Sequence, residues 1–466
     1  MAVLSHSSHH QTMRFANRSL GMASKKAVNA AIHVTPSLHT LFDEPLNIEI
    51  ERLKPGQSAT VTLNVDQPES GRFQSAANHT ADTNGRIRLS DTAPQAGSFK
   101  DADSMGLFWS LRAAPGQRAG LRFLPRNVNE SVKYKIAVHD GWLADMTNKS
   151  EATFRDHFLH PCVRRTEVSD GRIRGAYFCA RDVPAGTVPA VVDLFGTAGG
   201  LVQHRAALLA SRGFAVLALA YFNYKDLPSL DRLSLEYLQE AIDWLCAQRE
   251  TNELAGVGVV GTSLGGTLAL LAGIHLHNVK CVVAINSEAC CSPVTPISFR
   301  GQPLPCYQGG DIDVLANAYG DTSVDFAYRQ YLETVPVESN RHAELPVEAA
   351  HKERRMLLFA SGDDHNTPSV REAHRLLNRA IEAHGQHQKQ VELSVFENAG
   401  HLLEPPYVPH VGSAWHKVVG RLMKMGGTAV GHAAAQQRAW QTLQQHFAEH
   451  LCRPMHLPTT LLQAKL

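Results

Sequence analysis

Long apolar runs are missing from this 466-residue chain. None approaches the ~20 residues needed to cross a bilayer. The longest, "FAVLALAYF" at 214–222, has the length of a buried strand. No stable membrane insertion is therefore expected. An excess of one charge is missing too: 45 basic residues face 44 acidic ones, for a net charge of +1. That balance gives no reason to expect nucleic acid or an anionic membrane as a partner. The eight cysteines form no C-x-x-C and no Cys/His spacing that would hold zinc. Cys246 and Cys281 sit in apolar runs, where a free thiol packs as a small hydrophobe. A reducing compartment, no metal and no redox cofactor are expected. Internal repeats and low-complexity tracts are absent as well. No stretch reads as a secretory signal, so the sequons at Asn78, Asn129 and Asn148 are expected to stay unmodified.

Acidic residues are absent from positions 1–42, where Arg14, Arg18, Lys25 and Lys26 stand among Ser, His and Ala. Two readings stay open: a mitochondrial transit peptide, or a disordered polar tail over 1–40. The chain ends Ala464-Lys465-Leu466, one small residue away from the S-K-L peroxisomal address. The peroxisome is the expected location, with mitochondrion or cytosol as alternatives.

What is present is enough apolar residue, 44%, for a full core in two or three domains. Histidine is abundant at 25 residues, most of them in polar segments and expected to be solvated. Residues 41–170 read as an all-β sandwich. "LNIEIERL" (46–53), "SATVTLNV" (58–65) and "SVKYKIAVHD" (131–140) alternate with period two, which predicts one buried and one wet face. Lys54-Pro55-Gly56, Asn84-Gly85 and Pro115-Gly116 are turn signals between such runs.

Residues 171–455 have another texture. Strands apolar on both faces ("AVVDLF", "FAVLALAYF", "GVGVV", "CVVAIN", "RMLLFA", "VELSVF") alternate with helices expected at 201–212, 233–248, 265–276 and 369–383. That pattern predicts a doubly wound parallel sheet. Residues 456–466 form a short tail.

In such a sheet, chemistry collects on loops at the carboxyl ends of the strands. Gly261-Thr262-Ser263-Leu264-Gly265 follows a strand and opens a helix. A nucleophile on that turn is strained and crowded, so the residues two before and two after must lack bulk. "SGDDHNTP" (361–368) offers two carboxylates; Asp364 is preferred, and Asp363 also fits a helix cap. "NAGHLLEPP" (398–406) offers His401 in a Gly-flanked loop. The order Ser…Asp…His, each after a strand, matches the α/β-hydrolase arrangement. "FGTAGG" (195–200) stands where the second oxyanion donor is found, which makes Thr197 the candidate beside the N–H of Leu264. It lacks the Lys-Ser/Thr of a phosphate-binding P-loop.

The segments "FDEPLNIEI", "SMGLFWSL", "DGRIRGAYF", "GVGVVGTSLGG", "DDHN" and "GHLLEPPY" together resemble the type I acyl-CoA thioesterase and bile acid-CoA:amino acid N-acyltransferase family. The resemblance implies an amino-terminal immunoglobulin-like β-sandwich followed by an α/β-hydrolase domain. It implies an acyl-CoA substrate, with Ser263 as nucleophile, Asp364 as acid and His401 as base. It implies hydrolysis to a fatty acid and CoA, since the amino-acid transferase branch typically uses Cys; transfer to glycine or taurine is the alternative. A remote alternative is an inactive fold that only binds. Leu264 stands where those thioesterases usually have Lys, and Thr367 where they usually have Trp.

Overall fold

The computed structural model describes residues 29–36, 39–67, 70–125, 127–142, 149–311, 313–314 and 328–451. The basic stretch before residue 29 and the terminal Ala464-Lys465-Leu466 lie outside them. The tail expected over 1–40 is shorter than that, because Ala31–Thr35 pairs as a strand with Asn47–Glu51.

The amino-terminal part holds a three-stranded and a seven-stranded sheet. The larger one is built on Ser58–Gln67, which pairs antiparallel with both Gly71–Thr80 and Val132–Asp140. The alternating apolar residues Val61, Leu63 and Ile136 all turn to one fully buried face. The opposite face is wet, as period two predicts, along the half that carries Asn64, Asp66, Lys133 and Lys135, but not at its other end. Thr60, Asn78 and His139 stand side by side on it and are also buried. Hydrogen bonds make that burial tolerable: Asn78 Nδ2 donates to Thr60 Oγ1 at 3.1 Å, and Thr60 Oγ1 donates to the Gly141 carbonyl at 2.7 Å. Among the described residues the one departure from an all-β body is a helical turn, Gly106–Trp109.

The second part includes a three-stranded and a two-stranded sheet and is built on one eight-stranded sheet. Its strands are β1 (Val163–Asp170), β2 (Ile173–Ala180), β3 (Ala190–Leu194), β4 (Ala215–Ala220), β5 (Val257–Thr262), β6 (Val279–Ile285), β7 (Arg355–Ser361) and β8 (Val391–Phe396). Their order is β1-β2-β4-β3-β5-β6-β7-β8. From β4 onward every pair is parallel, but β1 and β2 enter antiparallel, so the sheet is mixed. β1 lies before residue 170 and yet hydrogen-bonds into this sheet rather than the amino-terminal ones. Helices α1 (His204–Ser211), α2 (Leu235–Cys246), α3 (Leu264–His275), α4 (Ser369–His384) and α5 (Ala429–His450) accompany it. This strand order, with the crossover at β4-β3 and helices after the parallel strands, is the α/β-hydrolase architecture. Ser234 caps α2 by accepting from the Tyr237 amide, and Gly213 takes a φ of 96° just after α1, which suits a glycine following a helix end.

α5 has no counterpart in the sequence reading. Its buried side is His432, Ala433, Ala435, Gln436, Ala439, Trp440, Leu443, His446 and Phe447. The helical spacing is there, but polar residues and alanine hold most of it, so apolar periodicity does not reveal it. Phe447 joins one apolar cluster with Phe214 of the sheet body and Phe42 and Phe158 of the amino-terminal body. Polar links follow the same seam: Trp440 Nε1 donates to Asp43 at 2.8 Å, and Arg212 pairs with Asp43 at 2.6 Å. No described helix is long and apolar enough to cross a membrane. The seven described cysteines are all free.

Candidate active site

Ser263 stands between β5 and α3 with φ 57° and ψ −125°. A non-glycine residue at positive φ is costly and persists only where its surroundings impose it. Here they do. The Ser263 amide donates to the Ile285 carbonyl at 2.8 Å, and its own carbonyl starts α3 by accepting from Gly266 and Thr267. The flanking glycines are required by space. A Cβ on Gly261 would lie 1.9 Å from the Gly265 carbonyl oxygen, and one on Gly265 would lie 2.5 Å from that of Phe195.

His401 lies in the loop after β8, and its Nδ1 meets Asp364 Oδ2 at 2.8 Å. Both side chains are buried. The second Asp364 oxygen accepts the amides of Asn366 and Thr367 at 2.7 and 2.9 Å, and Ser369 Oγ donates to the first. A carboxylate fixed on several donors holds one orientation toward the imidazole. Asp363 points elsewhere, to His365 at 2.9 Å, and is part-exposed. The His401 carbonyl accepts from Asn286 Nδ2 at 2.7 Å, and Asn286 also binds Ser361 of β7. Asn286 thus ties the histidine loop to the ends of β6 and β7. Among the described residues no hydrogen bond joins Ser263 Oγ to His401; in unliganded enzymes such contacts often close only around substrate.

The loop after β3 lies directly against the serine: a Cβ on Gly196 would be 3.1 Å from Ser263 Cβ. Thr197 and Leu264 line the same cavity of about 510 Å³ as Ser263. Tyr221 fixes the loop by donating its hydroxyl to the Phe195 carbonyl.

Four residues that the sequence reading passed over build this site. Arg205 of α1 is buried, pairs with Asp193 of β3 at 2.5 Å and donates to Thr262 Oγ1 at 2.8 Å. It therefore clamps together the two strand ends that carry Thr197 and Ser263. Glu404, inside "GHLLEPPY", accepts from Arg122 of the amino-terminal body at 2.8 Å and meets His204 at 3.2 Å. Burial alone would push the Glu404 carboxyl up, but Arg122 and His204 more than reverse this and hold it at about 2. Arg122 also stacks its guanidinium 5.4 Å from the Phe195 ring. His416, on the strand Ser413–His416, lines the cavity and meets Thr197 Oγ1 at 2.8 Å. Burial first, then the charges of His401 and Arg122, lower it to about 4, so it is neutral at pH 7. A minority of the histidines are buried rather than solvated: His79, His139, His160, His204, His401, His416, His432 and His446. Glu404 and Arg205 carried a sequence signal, their places in segments that resemble the family; Arg122 and His416 sit in segments with no motif.

The family described as "Acyl-CoA thioester hydrolase/BAAT N-terminal region" matches residues 43–170, and "BAAT / Acyl-CoA thioester hydrolase C terminal" matches 233–453. Acyl-coenzyme A thioesterase 1 of Homo sapiens is 34% identical over 425 residues, covering 91% of this chain and 97% of that protein. The mitochondrial acyl-coenzyme A thioesterase 2 of Mus musculus is 33% identical, with 92% of each chain covered. Acyl-coenzyme A amino acid N-acyltransferase 1 of Mus musculus is 34% identical, over 90% of this chain and 97% of that one. With both halves of the chain matched and the likeness running through the serine turn and the histidine loop, the protein belongs to the acyl-CoA thioester hydrolase/BAAT family.

Proposed function

We propose that this chain is an acyl-CoA thioesterase that hydrolyses fatty acyl-CoA to fatty acid and CoA. The observation that carries this reading is the buried His401–Asp364 pair on the same sheet edge as a strained serine facing a cavity of about 510 Å³. His401 takes the Ser263 proton as Oγ attacks the acyl carbonyl. The N–H groups of Leu264 and Thr197 stabilise the oxyanion; losing one such donor costs about 10²–10³ in rate. CoA leaves as a thiolate, and water activated by His401 releases the acid. Incubation with acyl-CoA, followed by release of free thiol and by mass spectrometry of the protein, tests the reading. An acyl adduct on Ser263 and loss of thiol release in Ser263→Ala are expected; thiol release undiminished in that variant would refute it.

The N-acyltransferase relative makes transfer to an amino acid the second reading. An amide as the main product in the presence of glycine or taurine selects it. We further infer an immunoglobulin-like sandwich ending before Val163 and a hydrolase body from Val163 to His450, on the strength of the sheet to which each strand belongs. The Ala464-Lys465-Leu466 tripeptide supports the peroxisome as the location; a fluorescent fusion at each end separates it from the mitochondrion.

A further inference from the structure

The cavity that Ser263 faces is not uniformly apolar. Glu288 lies in its wall, three residues beyond the Ile285 carbonyl that accepts the Ser263 amide. At ~3.6 Å of chain per residue, that puts its backbone within about 11 Å of Ile285, on the strand beside the one that carries the nucleophile. Glu288 Oε2 is buried and has no hydrogen-bond partner among the described residues. The nearby arginines are engaged elsewhere. Arg375 pairs with Glu344 at 2.9 Å and Glu372 at 3.0 Å, and Arg371 pairs with Glu372 at 2.9 Å. A row of hydroxyls stands close by: Ser292 Oγ to Tyr307 at 3.0 Å, and Tyr307 to Tyr328 at 2.7 Å. Ser292 and Tyr328 share the cavity wall with Glu288.

We propose that Glu288, with the hydroxyls beside it, binds a hydroxyl group on the acyl chain, so that hydroxylated acyl thioesters are the preferred substrates over plain hydrocarbon ones. This rests on the thioesterase reading above. Burial first, and the charge of Glu372 second, push the Glu288 carboxyl up to about 8 against the pull of Arg371 and Arg375. Near pH 7 it is a neutral acid, with one O–H to donate and lone pairs to accept. A hydroxyl, which also donates and accepts, matches both. A hydrocarbon chain matches neither. A chain ending in a carboxylate would bring negative charge toward Glu372, and a cationic chain would require an ionised Glu288. Sites built to hydrogen-bond a substrate hydroxyl discriminate strongly against analogues that lack it.

The test compares kcat/KM for dodecanoyl-CoA with that for hydroxydodecanoyl-CoAs carrying the hydroxyl near the thioester, midway and at the far end. The proteins are wild type, Glu288→Gln and Glu288→Leu. Wild type is expected to prefer at least one hydroxylated chain by about tenfold. Glu288→Gln, which keeps shape and hydrogen bonding, should retain most of that preference, and Glu288→Leu should favour the plain chain. An unchanged ratio in Glu288→Leu overturns the inference while leaving the thioesterase reading intact. So does an equal loss on every substrate, which would mark a contact to the shared CoA portion. If wild type cleaves none of these thioesters, the thioesterase reading and this inference fall together.

Discussion

At residue scale the site depends on where a few polar atoms are held. Ser263 keeps a φ of 57° that a free serine avoids, and Asp364 is fixed by the Asn366 and Thr367 amides before it meets His401. Asp364→Asn should leave this geometry nearly intact. The amide stabilises the wrong tautomer of His401 and no longer offsets its charge in the transition state. A loss of about 10⁴ in kcat with little change in KM is expected from steady-state hydrolysis. Ser263→Ala should abolish turnover while circular dichroism and thermal unfolding remain those of wild type, because the alanine removes only a hydroxyl facing the cavity.

At element scale the turn between β5 and α3 and the clamp behind it decide whether those atoms meet. Gly261→Ala sets a methyl against the Gly265 carbonyl and should break the turn, with both stability and activity lost. Arg205 tests the clamp separately. Arg205→Met leaves Asp193 buried without its partner, and a loss of about 3–5 kcal/mol is expected from urea unfolding. Replacing Asp193 by Asn in the same chain should recover much of it, because the uncompensated charge is gone. No recovery would mean that Arg205 acts through packing rather than through the ion pair.

At the scale of the whole molecule the amino-terminal body is part of the catalytic edge. Arg122 reaches across to Glu404, three residues past His401, and lies over Phe195, two before Thr197. Arg122→Ala should lower kcat although Arg122 belongs to the other body. α5 supports the same loop from behind: His432 Nδ1 accepts the Gly400 amide at 3.0 Å and Nε2 bonds the Leu402 carbonyl at 3.0 Å. Burial, aided by His410, lowers His432 to about 4 from the ordinary 6.5. A histidine depressed in the folded state stabilises it above 6.5, and that contribution is lost as pH falls toward 4, because the unfolded chain takes the proton first. His79, His416 and His446 act with the same sign, while Asp156 and Glu288, raised by burial, act against them. His432→Gln removes one of these protons. The slope of stability against pH between about 6.5 and 4 should become shallower by up to one proton, measured as urea midpoints across that range.

The amino-acid sequence determined the order of the six parallel strands in the hydrolase body and of the four helices between and after them; it did not reveal β1, β2 or α5. Its parallel strands are apolar on both faces, and the glycines around Ser263 are demanded by atoms only a few residues away. It also pointed to Asp364 and His401, because loops after strands are where a sheet of this kind presents side chains. Tertiary structure decided what local pattern cannot encode. β2 enters antiparallel by pairing with β4, about forty residues further along the chain, and β1 follows it as the other arm of a tight hairpin. Thr60 and Asn78 are buried because residues distant in the chain complete their hydrogen bonds. Arg205, His416, Glu404 and Arg122 became parts of one site only when strands and loops far apart in the chain closed over each other. A lone arginine or histidine carries no period and no motif, and its chemistry is set by the buried charge it meets.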